Sequence, residues 1–228
     1  MRFNEIDNTD KIDELLKKYF KITGEYSIVN GRVDVDGDCM LTAKCIKLPV
    51  KFNKVSGDFN CRYNELTTLE GGPTSVGGDF RCKYNQLTTL QGGPNSVGGD
   101  FYCGDNQLTT LEGGPTSVGG DFYCDGNRLT ILDGGPTSVG RDFYCIRNQL
   151  TTLQGGPTSV SGDFYCDYNS SLPLLRLLFI KNLKLIIIND APEDVVNYLN
   201  KYIGKGPGGA LACAAELIKA GFRENAQR

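Results

Sequence analysis

Apolar residues recur through the middle of the chain with a period of 21 residues. Each period holds one valine, one Phe-x-Cys triplet and two leucines, separated by polar and glycine-rich segments. The valines are Val55, Val76, Val97, Val118, Val139 and Val160, and the phenylalanines are Phe59, Phe80, Phe101, Phe122, Phe143 and Phe164. Alternate residues of a strand face the same side, so each Phe-x-Cys triplet predicts a short strand with Phe and Cys facing inward.

Stacking of these strands predicts a solenoid. One strand per coil would form a parallel ladder with a spacing of about 4.8 Å, and each coil would bury its apolar residues against its neighbours. The triplet Gly-Gly-Pro at 71–73 recurs unchanged in the next four blocks, which predicts a corner with positive φ. A second glycine pair, at 77–78, is less constant from coil to coil, because Ser56, Ser161 and Arg141 each replace one of its members. That corner is predicted not to require positive φ.

An aspartate precedes each repeated phenylalanine, and an asparagine follows each repeated cysteine by three residues. A column of carboxylates could hold calcium, but calcium-binding rolls repeat every nine residues or so and this chain does not. The aspartates are therefore predicted to accept hydrogen bonds from turn groups, and the asparagines to satisfy backbone groups. The cysteine column is predicted to lie in the core.

Both ends of the chain depart from the repeat. At the N-terminus, Ile12, Leu15 and Leu16 follow Asp10 at helical spacing, which predicts an amphipathic helix with Asp10 as its N-cap. A first irregular coil follows it. Such segments would protect the apolar end of a solenoid from water.

At the C-terminus the segment 172–180 predicts a helix or helical turn. Leu185 and Ile187 follow Phe164 and Cys166 by one period, so they predict the inward residues of a last strand. Two helices are predicted after it: one has Asp190 as its N-cap and ends at a glycine, and the other spans the segment ALACAAELIKAG.

Composition narrows the classes of function. The formal net charge is -3 with a pI near 5.1, so no basic excess favours nucleic acid or an anionic membrane, and neither partner is expected. The start of the chain lacks the apolar core of a signal peptide, which predicts a cytoplasmic protein with nine free thiols. Histidine is absent, which removes the commonest general base and transition-metal ligand. No cofactor and no metal are expected.

The segment D-F-Y-C-x-x-N-x-L-T-x-L resembles the leucine-rich repeat over residues 55–172. The wider string, with VDVDGD near the start and NKYIGKGPGGALACAAELIKAGF near the end, resembles small leucine-rich-repeat proteins of tailed bacteriophages. The resemblance implies an α/β solenoid with helical caps at both ends and a place in the host cytoplasm. We expect one domain: an N-terminal helix and capping coil at 1–54, six repeats at 55–172, and a C-terminal strand and helical cap at 173–228.

The residue between each Phe and Cys is predicted to point outward. These residues form a first column: Asn60, Arg81, Tyr102, Tyr123, Tyr144 and Tyr165. Stacked tyrosines offer large contact areas with polar tips, which suits the centre of a protein interface. The alternative is that aromatic rungs only stabilise the sheet through contacts on the same face.

Two further columns vary from coil to coil. They are Arg62, Lys83, Gly104, Asp125, Ile146 and Asp167, and then Tyr63, Tyr84, Asp105, Gly126, Arg147 and Tyr168. Solenoids keep framework positions constant and place recognition on one exposed face, so these columns are the predicted binding surface; relaxed drift at solvated positions is the alternative. Basic residues at one end and Asp125 and Asp167 toward the other predict a charge gradient that would orient a partner.

We therefore expect a monomeric module that binds a host or viral protein through its strand face. A structural or assembly component of a virion is the second hypothesis. An enzyme is the third, because no pair of acidic residues stands apart from the repeat as a catalytic couple.

Overall fold

The computed structural model describes residues 3–169, 172 and 174–226. Its central part is a β-solenoid in which equivalent residues of successive coils pair in parallel at the predicted spacing. Phe101, for example, pairs with Phe80 on one side and with Phe122 on the other. The 21-residue period and the parallel strand ladder are confirmed.

Each coil contributes two strands rather than the predicted one, and the strands form two sheets. Sheet A has nine strands, in the order β1-β4-β6-β8-β10-β12-β14-β16-β17, and sheet B has eight, in the order β15-β13-β11-β9-β7-β5-β3-β2. The strands are β1 (Phe20–Ile22), β2 (Glu25–Val29), β3 (Arg32–Asp36), β4 (Cys39–Leu41), β5 (Phe52–Val55), β6 (Phe59–Asn60), β7 (Ser75–Val76), β8 (Phe80–Arg81), β9 (Ser96–Val97), β10 (Phe101–Tyr102), β11 (Ser117–Val118), β12 (Phe122–Tyr123), β13 (Ser138–Val139), β14 (Phe143–Tyr144), β15 (Ser159–Val160), β16 (Asp163–Tyr165) and β17 (Leu185–Ile187). The Phe-x-Cys segments supply sheet A and the Ser-Val segments supply sheet B. A single strand per coil was therefore a wrong prediction.

The core lies between the two sheets. The repeated phenylalanines, cysteines and valines are all buried, as predicted. The phenylalanine rings stack from coil to coil, with centroids 5.3 Å apart between Phe101 and Phe122. Since every coil buries its side chains against the next, the stability of each coil depends on its neighbours.

The two kinds of corner use glycine for different reasons. Gly71 has a φ of +90°, and the other glycines at its position also have positive φ, as predicted. Gly77, in the less constant pair, does not have positive φ, which is also as predicted. A Cβ atom on Gly77 would lie 2.1 Å from the carbonyl oxygen of Ser56, so the close approach of two coils favours glycine there.

The asparagines form the predicted structural ladder. Asn127 is buried, and its Nδ2 donates to the carbonyl oxygens of Cys103 and Cys124, each at 3.1 Å. Its Oδ1 accepts the backbone N–H of Leu108 at 3.0 Å. One side chain thus satisfies backbone groups of two coils in a turn that lacks regular pairing.

The N-terminal helix α1 spans Phe3–Tyr19. Asp10 therefore lies inside the helix, and its prediction as the N-cap was wrong. Ile12 and Leu16 are buried in the core, as the helical spacing predicted. The strands of the first irregular coil continue directly into sheets A and B.

The last strand is displaced by one residue from the prediction. Ile186, not Leu185, pairs with Phe164 and is buried, and Leu185 is 41% exposed. The predicted inward pair of Leu185 and Ile187 was therefore wrong, because the chain between the last two strands is one residue longer than a period. A 3₁₀ helix at Leu174–Phe179 precedes this strand, as the apolar run predicted.

Two helices follow, α2 (Glu193–Tyr202) and α3 (Gly206–Lys219), and a short 3₁₀ helix spans Glu224–Ala226. Asp190 is not the N-cap of α2, because Pro192 occupies that position. The Oδ2 atom of Asp190 instead accepts the backbone N–H of Tyr168 at 2.8 Å. The predicted domain limits at 1, 173 and 228 lie outside the described residues.

Candidate functional site

The repeated aspartates join successive coils along sheet A. Oδ1 of Asp100 accepts the backbone N–H of Asp121 at 2.8 Å, and Oδ1 of Asp121 accepts that of Asp142 at 2.9 Å. The same bond joins each earlier aspartate to the next, beginning at Asp38. The predicted role as an acceptor for turn amides is confirmed, and the donor is the equivalent aspartate of the next coil.

Beside the aspartates, four tyrosines of the first column stack in one pile. Ring centroids are 4.6 Å apart between Tyr102 and Tyr123, 4.5 Å between Tyr123 and Tyr144, and 4.3 Å between Tyr144 and Tyr165. The side chains are half-buried. We call the alternating set the Asp-Tyr ladder: Asp100, Tyr102, Asp121, Tyr123, Asp142, Tyr144, Asp163 and Tyr165.

Three of the four tyrosine hydroxyls in the Asp-Tyr ladder donate hydrogen bonds to its carboxylates. Tyr102 donates to Oδ2 of Asp100 at 2.8 Å, and Tyr123 and Tyr144 make the same bond at 3.0 Å with the aspartate two residues earlier. Burial, and then the bond to Asp100, raises the pKa of Tyr102 to about 12. The same causes raise the pKa of Tyr123 and Tyr144. These hydroxyls are therefore neutral donors at pH 7, not nucleophiles.

The first two members of that column behave differently from the tyrosines. Asn60 is 8% exposed, so its predicted outward position was wrong. Arg81 does face the aspartates: its Nη1 lies 2.6 Å from Oδ2 of Asp58, and its Nη2 lies 2.5 Å from Oδ2 of Asp79. One guanidinium thus bridges two coils, and it also lies 5.7 Å from the ring of Tyr102.

Every member of the third column adopts the left-handed backbone conformation. The residues are Tyr63, Tyr84, Asp105, Gly126, Arg147 and Tyr168, with φ between 49° and 66°. A residue with a Cβ atom in this conformation costs roughly 1–2 kcal/mol, which glycine avoids. The geometry turns the side chains outward, so Tyr63 and Tyr168 are each 58% exposed.

Two tyrosines of the third column form a second, shorter stack. The ring centroids of Tyr63 and Tyr84 are 4.6 Å apart, with Arg62 5.7 Å from the first ring and Lys83 5.1 Å from the second. Burial by itself would lower the pKa of Lys83, but coulombic attraction to Asp125 and hydrogen bonds to Asp105 and Asp125 together raise it. The lysine is therefore a fixed positive charge.

The predicted gradient, with basic residues at one end of the surface and Asp125 and Asp167 toward the other, is not observed as predicted. Lys83 Nζ lies 3.1 Å from Oδ2 of Asp105 in the third column and 3.2 Å from Oδ2 of Asp125 in the second, so these three charges are paired within the chain. Arg81 is likewise neutralised by its two aspartates. The gradient prediction was wrong for Arg81, Lys83 and Asp125, whose charges are paired across coils, and for Asp167, which is buried.

Seven of the thirteen predicted site residues line one cavity of about 400 Å³ on sheet A. They are Arg62, Tyr63, Arg81, Lys83, Tyr84, Tyr102 and Tyr123. The cavity lies where the short tyrosine stack ends and the long one begins. The structure therefore brings these residues together, with aromatic walls and paired charges.

The other six predicted residues lie away from the cavity. Tyr144 and Tyr165 continue the long stack, and Arg147 lies 5.9 Å from the ring of Tyr168 near the C-terminal end. Asp125 holds Lys83. Asp167 is only 2% exposed and accepts the backbone N–H of Asn189, so its prediction as a surface residue was wrong.

Sequence reasoning missed the aspartates as part of this surface. Asp79 and Arg81, or Asp100 and Tyr102, are two residues apart, and residues so spaced on a strand share a face. That spacing could have placed the aspartates on the same face as the first column. What it did not reveal was which charges pair across coils.

Within the described residues, no group of three or more potential ligands is placed to hold a metal ion. All nine cysteines are in this part of the chain and are free thiols. Burial raises the pKa of the column cysteines Cys103 and Cys124, and it raises the pKa of Cys39 to about 12, which disfavours the reactive thiolate.

Among the helices of the described residues, none has the length and apolar character needed to cross a lipid bilayer. Comparison with protein-family models, curated proteins and solved structures gives no match.

Proposed function

We propose that this chain is a protein-interaction module that binds a partner protein on the outer face of sheet A. The observation that carries the proposal is the meeting of two tyrosine stacks, Tyr63–Tyr84 and Tyr102–Tyr165, around one cavity of about 400 Å³. Tyrosine is enriched at binding hot spots because it offers a rigid apolar area with a polar tip. Aromatic residues and arginine are enriched at the centres of protein interfaces, and the lining of this cavity includes four tyrosines and two arginines.

The strained third column supports the proposal. Tyr63, Tyr84 and Tyr168 hold large side chains at positions where the backbone itself favours glycine or asparagine. Backbone strain of this kind is concentrated at functional sites, where the surrounding structure maintains it. Glycine avoids this strain, and it occupies the equivalent position of one coil as Gly126.

Affinity capture with matched variants tests the proposal. The bait is the full chain, the prey is a lysate of its natural cellular environment, and the site variant is Y102A/Y123A/Y144A. The control T116A/T137A/T158A removes three exposed side chains at equivalent positions of successive coils next to sheet B. We expect the tyrosine variant to lose a stoichiometric partner that the threonine variant retains, with unchanged circular dichroism for both. Equal capture by the two variants would exclude sheet A as the interface.

We also propose, from the sequence resemblance, that the coils are of the leucine-rich-repeat type and that α1 and the α2–α3 pair cap the solenoid. On the same basis we propose a phage-encoded, monomeric protein of the host cytoplasm that has no catalytic activity. The second candidate is a structural or assembly component of a virion. Mass spectrometry of purified particles separates the two, since a stoichiometric signal would favour the virion component.

A further inference from the structure

The Asp-Tyr ladder carries negative charge that the rest of the described chain does not neutralise. Asp58 and Asp79 are paired with Arg81, and Asp105 and Asp125 with Lys83. No lysine or arginine of the described residues lies within ion-pair distance of the four ladder carboxylates. These are Asp100, Asp121, Asp142 and Asp163. Half of sheet A thus presents a row of like charges, with neighbours about 4.8 Å apart.

Each ladder carboxylate retains capacity to accept hydrogen bonds. Asp142, for example, receives the backbone N–H of Asp163 at 2.9 Å on Oδ1 and the hydroxyl of Tyr144 at 3.0 Å on Oδ2. An ionised carboxylate has about four lone-pair sites, so about two remain. The aspartate is half-buried, which leaves those sites partly accessible.

The two inner tyrosine rings of the stack, Tyr123 and Tyr144, do not offer their faces to a ligand. Tyr123 is stacked on Tyr102 at 4.6 Å on one side and on Tyr144 at 4.5 Å on the other. Nucleobases and sugars bind to tyrosine by covering a ring face, and these faces are already covered. What remains is a row of ring edges, hydroxyl oxygens and carboxylates, all of which are acceptors or apolar surface.

Arg81 shows what kind of group fits this row. Its guanidinium donates to Oδ2 of two consecutive aspartates, Asp58 and Asp79, while one side faces the ring of Tyr102. Charge-assisted hydrogen bonds of this kind are among the strongest in proteins, and the planar guanidinium has enough donors to bind two carboxylates at once. The chain therefore neutralises one end of the aspartate column with its own arginine and leaves the other end unpaired.

We propose that the unpaired half of sheet A, from Asp100 to Tyr165, docks an arginine-rich segment of the partner protein. The inference rests on the proposed function and names the chemistry of the partner. The guanidinium groups would lie across consecutive ladder aspartates, and their aliphatic stems would cover the tyrosine edges. The charge complementarity would also relieve the repulsion between the carboxylates.

Fluorescence anisotropy with defined probes tests the inference on the full chain at near-physiological salt. The probes are two labelled peptides of equal length, one alternating Arg and Gly and one alternating Glu and Gly. The site variant D121N/D142N keeps the Oδ1 acceptors but removes two charges. The control E70Q/E112Q makes the same charge change at exposed positions away from the ladder. We expect the Arg peptide alone to bind, and D121N/D142N to weaken it at least about tenfold, with little change for the control.

A gain-of-function variant guards against misfolding as an explanation. R81Q removes the internal arginine and frees Asp58 and Asp79, so it should tighten binding of the Arg peptide. Equal weakening by the two charge variants, or no tightening by R81Q, would overturn the inference. If the captured partner is lost in Y102A/Y123A/Y144A but retained in D121N/D142N, the basic segment is wrong and the protein-interaction proposal stands. If Y102A/Y123A/Y144A retains the partner, the proposed function itself fails.

Discussion

Lys83 and Asp125 form an ion pair across two coils of the solenoid, with 3.2 Å between Nζ and Oδ2. The residue of the intervening coil at this position is Gly104, which has no side chain to separate them. A Cβ atom on Gly104 would lie 2.7 Å from Oδ1 of Asp125 and 3.1 Å from its backbone oxygen. Glycine at position 104 therefore leaves the space that the ion pair between Lys83 and Asp125 needs.

Replacing this glycine tests the relationship. We expect G104A to force Asp125 away from Lys83 and to lower the free energy of unfolding by about 1–2 kcal/mol, measured by urea denaturation. The control is G208A, because Gly208 lies in α3 with nothing within 4 Å of the added Cβ. That variant should be neutral or stabilising. Equal effects of the two substitutions would show that the contact with Asp125 is unimportant.

The asparagine ladder makes a second prediction. N127A removes the acceptor of the Leu108 N–H and the donors to two buried carbonyls. Buried polar groups without partners cost about 1–3 kcal/mol each, so we expect a loss of about 2–4 kcal/mol in the free energy of unfolding. R128A alters the exposed neighbouring residue and should change stability little. A loss of under about 1 kcal/mol for N127A would argue against the ladder.

Stability should fall at alkaline pH because of the tyrosine stack. The pKa of Tyr102 is raised from 10.0 to about 12, so the folded chain holds the proton more tightly than the unfolded chain. This contribution is complete below pH 10 and is lost as pH rises toward 12. Urea midpoints measured across this range should decline in the wild type and more weakly in Y102F/Y123F/Y144F. The same decline in both would mean that other groups are responsible.

The C-terminal edge of sheet A is closed by one side chain. Asn200 of α2 accepts the backbone N–H of Ile186 at 2.7 Å and donates to its carbonyl oxygen at 3.0 Å, in place of a further strand. We expect N200A to destabilise the chain and to promote self-association, because an open strand edge recruits other strands. Sedimentation velocity measures the association. N197A, on the exposed side of the same helix, should remain like the wild type.

Thiol labelling tests the buried cysteine column. Cys45 is the one cysteine that is not buried, and the other eight are enclosed by the core. A maleimide reagent should therefore modify one thiol per native chain, as counted by intact-mass spectrometry, and all nine after denaturation. The variant C45S should leave the native chain unlabelled. Rapid labelling of several thiols would mean that the coils open readily.

Several features of this protein follow from the sequence alone. The 21-residue period, the inward Phe-x-Cys strand, the buried valines and the Gly-Gly-Pro corners with positive φ are local consequences of residue type and spacing. Repetition makes them readable, because the same local choice is made in coil after coil. The outward tyrosines at 102, 123, 144 and 165 were predicted for the same reason.

Only the tertiary structure decided the rest, because it depends on residues far apart in the sequence. The second sheet forms because stacking brings the Ser-Val segments of neighbouring coils into register. The ion pair of Lys83 and Asp125 joins residues two coils apart. The shift of the last strand to Ile186 depends on the length of the preceding segment, and its closure by Asn200 depends on how α2 packs. Alternation along a strand determines which side chains face outward, and the packing of coils determines which of them remain unpaired.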